Sequence, residues 1–339
     1  MLEKPDLQDR RIMTCLDEQF GLSVAQVSFL PLGADRDTAV YRIVADDEIP
    51  YFLKLRRGDF DRTSVALPRF FSDQGIEQII SPLTTKSGQL WGDLDEFRVI
   101  LYPYVEGRNG YERDLSDRHW VELGTALKSI HTATVPPALL SRIRHETYTP
   151  TWREMARMFL ERAEDGAYDE SLARRLVVFL NARRDEISEL IGRAERLARD
   201  LQARSPEFVV CHSDLHAGNV LIDADDALYI VDWDEPILAP KERDLMFVGG
   251  AQGFSGHTAQ EEAALFYQGY GQTQIDPVAL AYYRYERIVQ DIALFCEQIL
   301  LTDGGGKDRE QSFHYLTSNF LPNGTIEIAY KSDKTLRDG

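Results

Sequence analysis

Cysteine is scarce in this chain, and its few cysteines form no known motif. The 339 residues include three, Cys15, Cys211 and Cys296, which lie far apart. Their spacing matches no zinc site, and an odd number argues against a framework of disulfide bonds. The N-terminal segment MLEKPDLQDRR also lacks the apolar core of a signal peptide. We therefore expect a cytoplasmic protein.

Long apolar runs and an excess of basic residues are missing as well. No run approaches the ~20 apolar residues of a membrane-spanning helix, so we expect no membrane partner. The formal net charge of -18 at pH 7 argues against a nucleic-acid partner, because binding to phosphates requires clustered lysine and arginine. An acidic cleft would attract a cationic small molecule, although net charge alone favours the simpler explanation that the acids aid solubility. The composition does not indicate an oligomeric state.

The spacing of the apolar residues changes near Pro103. Before it, a helix at 6–20 closed by Gly21 is predicted. Five strands follow, at 27–32, 39–44, 51–55, 79–83 and 97–104, with one helix inserted at 62–72. From Ser116 onward helical periodicity prevails, and no internal repeat occurs. One of these helices is expected to begin with Asp276 as N-cap and Pro277 at the first helical position. We therefore expect an α+β chain of two lobes. A small antiparallel sheet lobe spans residues 1–103, and a larger, mostly helical lobe spans residues 104–339.

The segment 208–234, FVVCHSDLHAGNVLIDADDALYIVDWD, contains the strongest motif. Asp214 and Asn219 follow a first apolar run, and Asp232 ends a second one. Two strands that deliver acidic groups to one edge, with an asparagine between them, predict a site for a divalent metal and a hydroxyl nucleophile. The spacing H-x-D-x-x-x-x-N followed by a strand-borne aspartate resembles the catalytic and metal loops of the kinase fold, which predicts a two-lobed, protein-kinase-like architecture.

Each residue of this motif has a chemical reason to be present. Asp214 would accept the proton of a substrate hydroxyl or orient it. Asn219 and Asp232 offer the hard oxygen ligands that suit Mg²⁺. His212 is expected to brace the loop through a backbone carbonyl rather than to act in catalysis directly, and the role of His216 stays open. A plain hairpin with incidental acids is the weaker interpretation, because aspartate is disfavoured inside strands.

A nucleotide site is predicted in the first lobe. Lys54, in the apolar strand YFLKL, stands where a kinase lysine contacts nucleotide phosphates, although an edge-strand lysine facing water is the alternative. The loop 32–38 would cover the phosphates through Gly33 and the Thr38 hydroxyl, although a plain β-turn explains a loop with one glycine equally well. No glutamate occurs between Lys54 and Gln74, which leaves Asp61 as the best acidic partner by position.

The segment Tyr102-Pro103-Tyr104-Val105-Glu106-Gly107 lies where a connector between the lobes belongs. Adenine would bind there through the backbone of Tyr102, Tyr104 and Val105. A bare turn would have the same sequence, so the side chains do not decide between the two interpretations.

Several segments closely resemble the aminoglycoside phosphotransferases, a branch of small-molecule kinases with the protein-kinase fold. The similarity extends over nearly the whole chain and lies in CHSDLHAGNVLI, YIVDWDEPILAPKERDLMF, YFLKL, TPTWREM, KERDLMFVGG and YYRYERIVQDIA. The H-x-D-x-x-x-x-N core is common to many kinases. The later segments are more particular, and they resemble the subgroup of spectinomycin phosphotransferases.

The resemblance implies roles for four residues. Asp214 matches the catalytic aspartate, Asn219 and Asp232 match the metal ligands, and Lys54 matches the phosphate-contacting lysine. Members of the family use ATP, or sometimes GTP, with Mg²⁺, and bind their antibiotic between the catalytic loop and the helices of the larger lobe. The chain departs from protein kinases at three places. Ser213 replaces the arginine of H-R-D, Trp233-Asp234 replaces the Phe-Gly of D-F-G, and the A-P-E segment is missing. These departures argue against a protein substrate.

Acidic residues of the second lobe could bind an amine-bearing substrate. Glu286 and Glu297 are about three helical turns apart and would project to one side of their helix. The predicted wall comprises Asp234, Glu235, Glu286, Asp291 and Glu297, although a partly solvated helix is the simpler interpretation. The two apolar runs of the segment 208–234 are expected to form one hairpin. The nearby run Lys241-Glu242-Arg243-Asp244 is expected to form ion pairs that tie this hairpin to the helices.

The sequence thus predicts an ATP-dependent, Mg²⁺-requiring O-phosphotransferase that inactivates an aminocyclitol or aminoglycoside antibiotic, with spectinomycin as the first candidate. A metabolic kinase for choline, homoserine or methylthioribose is the alternative within the same fold. A nucleotide-binding pseudoenzyme is the alternative of another class, although it would require a damaged catalytic set. The phosphorylated hydroxyl and the biological role, resistance or self-protection, are not predicted.

Overall fold

A computed structural model describes the chain from Leu2 to Arg337, apart from Ala34, Arg36, Ala167, Asp169, Ser205, 250–255, 303–305 and Asn323. It begins with helix α1, Asp9–Cys15, which continues as a π-helical turn over Leu16–Phe20. Gly21 ends this helix at φ 73°, a left-handed conformation that glycine adopts without a steric penalty. The predicted helix at 6–20 and its stop are confirmed.

A five-stranded antiparallel sheet forms the first lobe. Its strands are β1 Val24–Leu30, β2 Thr38–Ala45, β3 Pro50–Arg57, β4 Gly92–Leu94 and β5 Phe97–Pro103, in the order β1-β2-β3-β5-β4. The prediction of a strand at 79–83 was wrong, because Ile79 forms only an isolated bridge with Ile230 and β4 takes the edge position. A separate apolar cluster under this sheet includes Tyr41, Ile43 and Leu53.

Helix α2, Thr63–Asp73, belongs to the first lobe in sequence but packs on the second. Leu67 and Phe71 of α2 are fully buried in the core of the helical lobe. Pro68 lies inside the helix, where its ring removes one backbone hydrogen bond. Helix α2 therefore bridges the two lobes.

The second lobe is mostly helical. Its helices are α3 Asp117–Thr132, α4 Pro137–Leu140, α5 Thr151–Asp165, α6 Ser171–Ala182, α7 Arg184–Gln202, α8 Glu242–Leu245, α9 Ala259–Tyr270, α10 Pro277–Leu300, α11 Gly306–Ser318 and α12 Thr325–Arg337. Asp276 caps α10 by accepting from the backbone N–H of Val278 at 2.9 Å, and Pro277 occupies the first helical position. Helix α10 packs against α5, α7, α11 and α12, and it therefore forms the centre of this lobe.

Two three-stranded sheets lie at the junction with the first lobe. One has the order β10-β9-β6, with β6 Gly107–Asn109, β9 Val220–Asp223 and β10 Leu228–Ile230; the other has the order β7-β11-β8, with β7 Arg144–His145, β8 Val209–Cys211 and β11 Ile237–Ala239. The apolar runs at 208–211 and 228–231 are therefore not partners: β8 pairs with β11, and β10 pairs with β9, which was not predicted. In the described part of the chain, no helix has the length and apolarity to cross a bilayer.

Candidate active site

The loop that carries Asp214 is held in an uncommon backbone conformation. Ser213 has φ 73°, a left-handed value that costs a residue other than glycine about 1–3 kcal/mol. Asp244 of α8 stabilises this conformation by accepting from the backbone N–H groups of His212 at 2.9 Å and Ser213 at 2.6 Å. Asp244 is fully buried, and His131 donates to it at 3.0 Å. Burial raises the pKa of Asp244, but the contacts with His131, His212 and the Ser213 backbone together outweigh that effect and leave the pKa lowered.

The segment after β10 is fixed to this loop from the other side. His212 donates from Nε2 to the Val231 carbonyl at 2.9 Å, which confirms its predicted bracing role. Trp233 packs between His212 and Phe71 of α2, with ring centroids 4.6 Å and 5.3 Å apart. Asp232, between the two braced residues, has φ 65°. The strain at Asp232 is therefore supported by contacts from both lobes.

Lys54 of β3 crosses the cleft to the segment after β10. Its Nζ lies 2.7 Å from Asp232 Oδ1 and 2.6 Å from Asp234 Oδ1, and Arg56 donates to the second oxygen of Asp234. Burial lowers the pKa of Lys54, but the two carboxylates together raise it by a larger amount. The pKa is therefore raised overall, and the side chain stays charged. The same contact lowers the pKa of Asp232 against the effect of burial. We call Lys54, Arg56, Asp232 and Asp234 the Lys54 cluster.

Asp61 is not the partner of Lys54, as position alone had suggested. Its carboxylate accepts from the backbone N–H of Thr63 at 2.8 Å, at the start of α2. The partners of Lys54 are instead Asp232 and Asp234 of the other lobe, which are remote from it in sequence.

Asp214 meets a cation from the helical lobe. Arg287 of α10 donates from Nη1 to Asp214 Oδ1, and His216 Nε2 lies 3.6 Å from Oδ2. Burial raises the pKa of Asp214, but Arg287 and the histidines 212 and 216 lower it more, so the group is a carboxylate at neutral pH. Arg287 also donates from Nε to Asp291 at 3.0 Å. We call Asp214, His216, Arg287 and Asp291 the Asp214 cluster.

One aromatic side chain, Tyr111, flanks the Asp214 cluster at the protein surface. Tyr111, which is 54 % exposed, stacks on His216 at 5.7 Å between ring centroids. The backbone N–H of Gly218 donates to His216 Nδ1 at 3.0 Å, and a Cβ at Gly218 would lie 2.7 Å from both rings. Glycine is therefore required there by the close approach of the rings.

Asn219 faces the same loop. It is buried and donates from Nδ2 to the Asp214 carbonyl at 2.8 Å, which leaves its amide oxygen as the group for a metal. Its backbone carbonyl accepts from Val231 N–H at 3.0 Å. Asn219 therefore connects the predicted base to the segment that carries Asp232.

The structure describes most of the predicted phosphate loop and the connector. Gly33 has φ 84°, and the Thr38 hydroxyl donates to Asp35 at 2.7 Å, whereas Ala34 and Arg36 of this loop lie outside the described residues. In the connector, the Tyr104 backbone N–H donates to the Pro50 carbonyl at 3.4 Å. Tyr102 and Val105 are half-buried beside it, so adenine contacts at these residues stay a prediction.

The five predicted substrate acids do not form one wall. Asp234 belongs to the Lys54 cluster, because two cations of β3 hold it. Glu286 is buried inside the helical lobe, 3.5 Å from Arg153 Nη1. Burial raises the pKa of Glu286 to about 7. The predicted acidic wall was therefore wrong for these two residues, since each faces a cation of the protein.

The other three predicted acids are also separate from one another. Glu235 is exposed, 3.8 Å from Arg144, and Glu297 is half-buried on α10 on the same side as Glu286. Of the five acids, Asp291 is the one that belongs to the Asp214 cluster, because it pairs with Arg287.

The run 241–244 ties the site to the helices, but mainly by bonds other than the expected ion pairs. Asp244 accepts backbone N–H groups, and the guanidinium of Arg243 lies 5.5 Å from the ring centroid of Tyr283. Lys241 pairs with its neighbour Glu242 at 3.1 Å, and Glu242 accepts from the backbone N–H of Asp276 at 2.9 Å.

Comparison with known proteins now identifies the family. Residues 28–275 match the model of the phosphotransferase enzyme family. The chain belongs to the phosphotransferase enzyme family. It is thus a small-molecule kinase, and the predicted two-lobed, kinase-like fold is confirmed. A search of curated protein sequences gives no match.

Solved structures of phosphotransferases and kinases share this fold. The spectinomycin phosphotransferase APH(9)-Ia, in complex with ADP and spectinomycin, is 35% identical with a TM-score of 0.89, over 97% of this chain and 99% of that chain. Its AMP-bound complex is 35% identical with a TM-score of 0.83, over 95% and 98%. The choline kinase LicA from Streptococcus pneumoniae is 15% identical with a TM-score of 0.55, over 91% and 99%, which shows the fold alone.

Sequence reasoning did not select Arg287, His131 or Tyr111 of this phosphotransferase. Arg287 lay inside the segment YYRYERIVQDIA, where its spacing to Asp291 was a signal for an i, i+4 ion pair. No comparable signal pointed to His131 or Tyr111, because their contacts depend on elements that are distant in the chain.

Proposed function

We propose that this phosphotransferase transfers the γ-phosphoryl group of ATP to a hydroxyl of a cationic aminocyclitol antibiotic, with spectinomycin as the first substrate to test. The observation that carries the proposal is the 35% identity, over 97% of the chain, to a spectinomycin phosphotransferase. The close approach of Lys54 to Asp232 and the intact loop around Asp214 and Asn219 support it chemically.

The first lobe, residues 1–103, would bind the nucleotide. Lys54 is charged, nine-tenths buried and already at the cleft, so its ammonium group would contact phosphate oxygens. The proposal also includes phosphate contacts by Gly33 and Thr38. Adenine would bind to the backbone of the connector residues Tyr102, Tyr104 and Val105. The ADP and AMP of the similar spectinomycin phosphotransferase structures favour ATP, and no similar structure reported above supports GTP.

The donor set between the lobes fits Mg²⁺. Asn219 uses its amide nitrogen for the Asp214 carbonyl, and Asp232 uses one carboxylate oxygen for Lys54. One amide oxygen and one carboxylate oxygen remain, and Mg²⁺ takes few protein ligands of this kind together with phosphates and water. When bound, the ion would neutralise phosphate charge during transfer.

Asp214 would act on the acceptor hydroxyl from the second lobe, residues 104–339. As a carboxylate it would orient the hydroxyl and receive its proton while the hydroxyl oxygen forms the new bond to phosphorus. The bond from phosphorus to the bridging oxygen breaks in line, and ADP leaves with the electron pair. Acids of this lobe would attract a cationic acceptor, and Asp291 is the predicted acid nearest to this chemistry.

The experiment is mass spectrometry of candidate acceptors after incubation with the protein, ATP and Mg²⁺. The panel contains spectinomycin, several aminoglycosides, and the small alcohols choline, homoserine and methylthioribose. A phosphate-sized gain on spectinomycin alone, absent with Asp214→Asn, would support the proposal, and NMR would locate the hydroxyl. A gain on choline or another small alcohol alone would overturn the antibiotic substrate and leave the phosphotransferase mechanism in place.

The metal assignment has its own test. Asp232→Asn removes the carboxylate charge while preserving size, so we expect a higher Mg²⁺ concentration for half-maximal activity. The matched control is Asp225→Asn, an exposed acid in the turn between β9 and β10. An unchanged Mg²⁺ requirement in Asp232→Asn would contradict the ligand role of Asp232.

A further inference from the structure

We infer that Arg287 is a positioning residue for Asp214, and that its guanidinium holds the Asp214 carboxylate in the orientation from which it acts on the acceptor hydroxyl. This inference rests on the proposed function, which assigns Asp214 that role. The two residues lie on different elements, the loop after β8 and the middle of α10, and Arg287 Nη1 donates directly to Asp214 Oδ1.

Arg287 is itself fixed from several directions. Its Nε donates to Asp291 Oδ1 at 3.0 Å, and Asp291 Oδ2 lies 3.5 Å from the amide nitrogen of Asn319, the residue directly after α11. The guanidinium carbon lies 5.9 Å from the ring centroid of Phe247. Because Asp291 of α10, Asn319 after α11 and Phe247 after α8 fix it directly or through one another, the guanidinium offers Asp214 a donor in a defined place.

The contact is poorly explained as a device for stability alone. The side chains of Arg287 and Asp214 are 25% and 35% exposed, and ion pairs that water can reach contribute little to stability because solvent screens them. Arg284, one turn earlier on the same helix, provides a contrast. It donates to the carbonyls of Met246 and Val248 at 3.0 Å and 2.8 Å, as expected of an arginine with a structural role.

Geometry gives the expected size of the effect. A group that acts on a hydroxyl must lie about 2.6–3.2 Å from it. A displacement of about 1 Å can cost about 10²-fold in rate. Loss of the Arg287 contact frees the Asp214 carboxylate to rotate, so we expect kcat to fall by about 10–10²-fold. The Lys54 cluster is untouched, so KM for ATP should stay within about twofold.

The experiment compares Arg287→Ala and Arg287→Lys with the wild type by steady-state kinetics for ATP and acceptor. Arg204→Ala is the control, because Arg204 forms an exposed pair with Asp276 at 3.2 Å and contacts no residue of either cluster. Melting temperatures establish that each variant is folded. We expect the loss to be confined to kcat, to be smaller in Arg287→Lys, and to be partly reversed in Arg287→Ala by millimolar guanidinium. A kcat within about twofold of wild type in folded Arg287→Ala would overturn the inference.

The outcome for Arg287 can be separated from the outcome for the proposed function. If the wild type phosphorylates no member of the panel, the proposed function fails before any variant is compared. Crystal structures of Arg287→Ala and Arg204→Ala then test the positioning role directly. We expect the Asp214 carboxylate to turn from its wild-type orientation only in Arg287→Ala, and an unchanged Asp214 side chain would overturn the inference.

Discussion

On one side of the cleft Lys54 meets acids of the opposite lobe, whereas on the other side Asp214 meets Arg287 of its own lobe. The Lys54 cluster is complete only when both lobes are in place, since β3 supplies its cations and the segment after β10 supplies its carboxylates. The Asp214 cluster is built entirely within the helical lobe. The comparison indicates that the contacts of the proposed acceptor side do not depend on the first lobe, whereas the contacts of the proposed nucleotide side depend on the relative position of the two lobes.

The two clusters nevertheless share one support. Asp244 holds the backbone of His212 and Ser213, and His212 in turn braces the carbonyl of Val231, next to Asp232. A change at Asp244 should therefore disturb both sides of the cleft, whereas changes within either cluster should disturb one.

The largest expected effect separates the clusters most sharply. Asp214→Asn keeps the size of the side chain but removes its charge, so we expect kcat to fall by about 10²–10⁴-fold, the usual cost of losing a general base. Nucleotide binding should persist, because the Lys54 cluster is unchanged. Steady-state kinetics and calorimetric titration of ATP measure the two quantities. Retention of most of the wild-type activity would contradict the role of Asp214.

Asp244→Ala should affect both clusters and the fold. It leaves His131 and two backbone N–H groups buried without their acceptor, and the loss of an acceptor for buried donors costs about 1–3 kcal/mol. The free energy of unfolding, measured by urea titration, should fall by that amount, and exposed Asp225→Ala should change it by less than about 0.5 kcal/mol. The folded pKa of Asp244 is lowered below 3.8, so its contribution is present above that pH and is lost as the pH falls further.

Lys54→Met should weaken the nucleotide side alone. It removes charge-assisted bonds to Asp232 and Asp234, and bonds of this kind to phosphate would be lost as well. At about 1.5–3 kcal/mol, the loss corresponds to a rise in the Kd for ATP of roughly 10–150-fold. Arg57→Met, a half-exposed cation on the same strand, is the matched control. An equal loss in both variants would show that general charge, rather than the position of Lys54, attracts the nucleotide.

The smallest expected effect lies outside both clusters. Burial raises the pKa of Glu286 from 4.5 to about 7, so this carboxyl favours folding while protonated and opposes it as the pH rises through 7. Glu286→Gln mimics the protonated form, and we expect it to raise the free energy of unfolding by about 1–3 kcal/mol at pH 8 but not at pH 5. Urea titrations at both pH values measure it. A destabilised variant at pH 8 would show that the charged pair with Arg153 outweighs the cost of burial.

The sequence was informative wherever the chemistry is local in the chain. The strands at 39–44 and 51–55, the helix closed by Gly21 and the cap Asp276-Pro277 were predicted from residues within one element. The prediction failed for the strand at 79–83, because apolar residues at a lobe junction are buried without pairing in a sheet. The expected hairpin between the runs at 208–211 and 228–231 was also wrong, because β8 pairs with β11 and β10 pairs with β9. Pairing between strands that are separated by a loop is decided by the packing of the whole lobe.

The predicted acidic wall failed for the same reason, because its residues contact groups that are distant in the chain. Carboxylates on one helix face and after one strand suggested a common wall. In the fold, however, Asp234 pairs with Lys54 and Arg56, whereas Glu286 pairs with Arg153. Whether an acid is free for a ligand depends on the nearest cation, and that cation comes from a remote segment.

The sequence by itself determined the family and the two-lobed, kinase-like fold class, because a short motif specifies a family through residue type and spacing. It also selected Lys54, Asp214, Asn219 and Asp232 as the residues proposed to carry the chemistry. Only the tertiary structure decided that Lys54 pairs with Asp232 and Asp234, and that Arg287 reaches Asp214. The physical reason is that electrostatic contacts act over a few ångströms in space. Only tertiary packing brings helix α10 to the loop after β8 and strand β3 to the segment after β10.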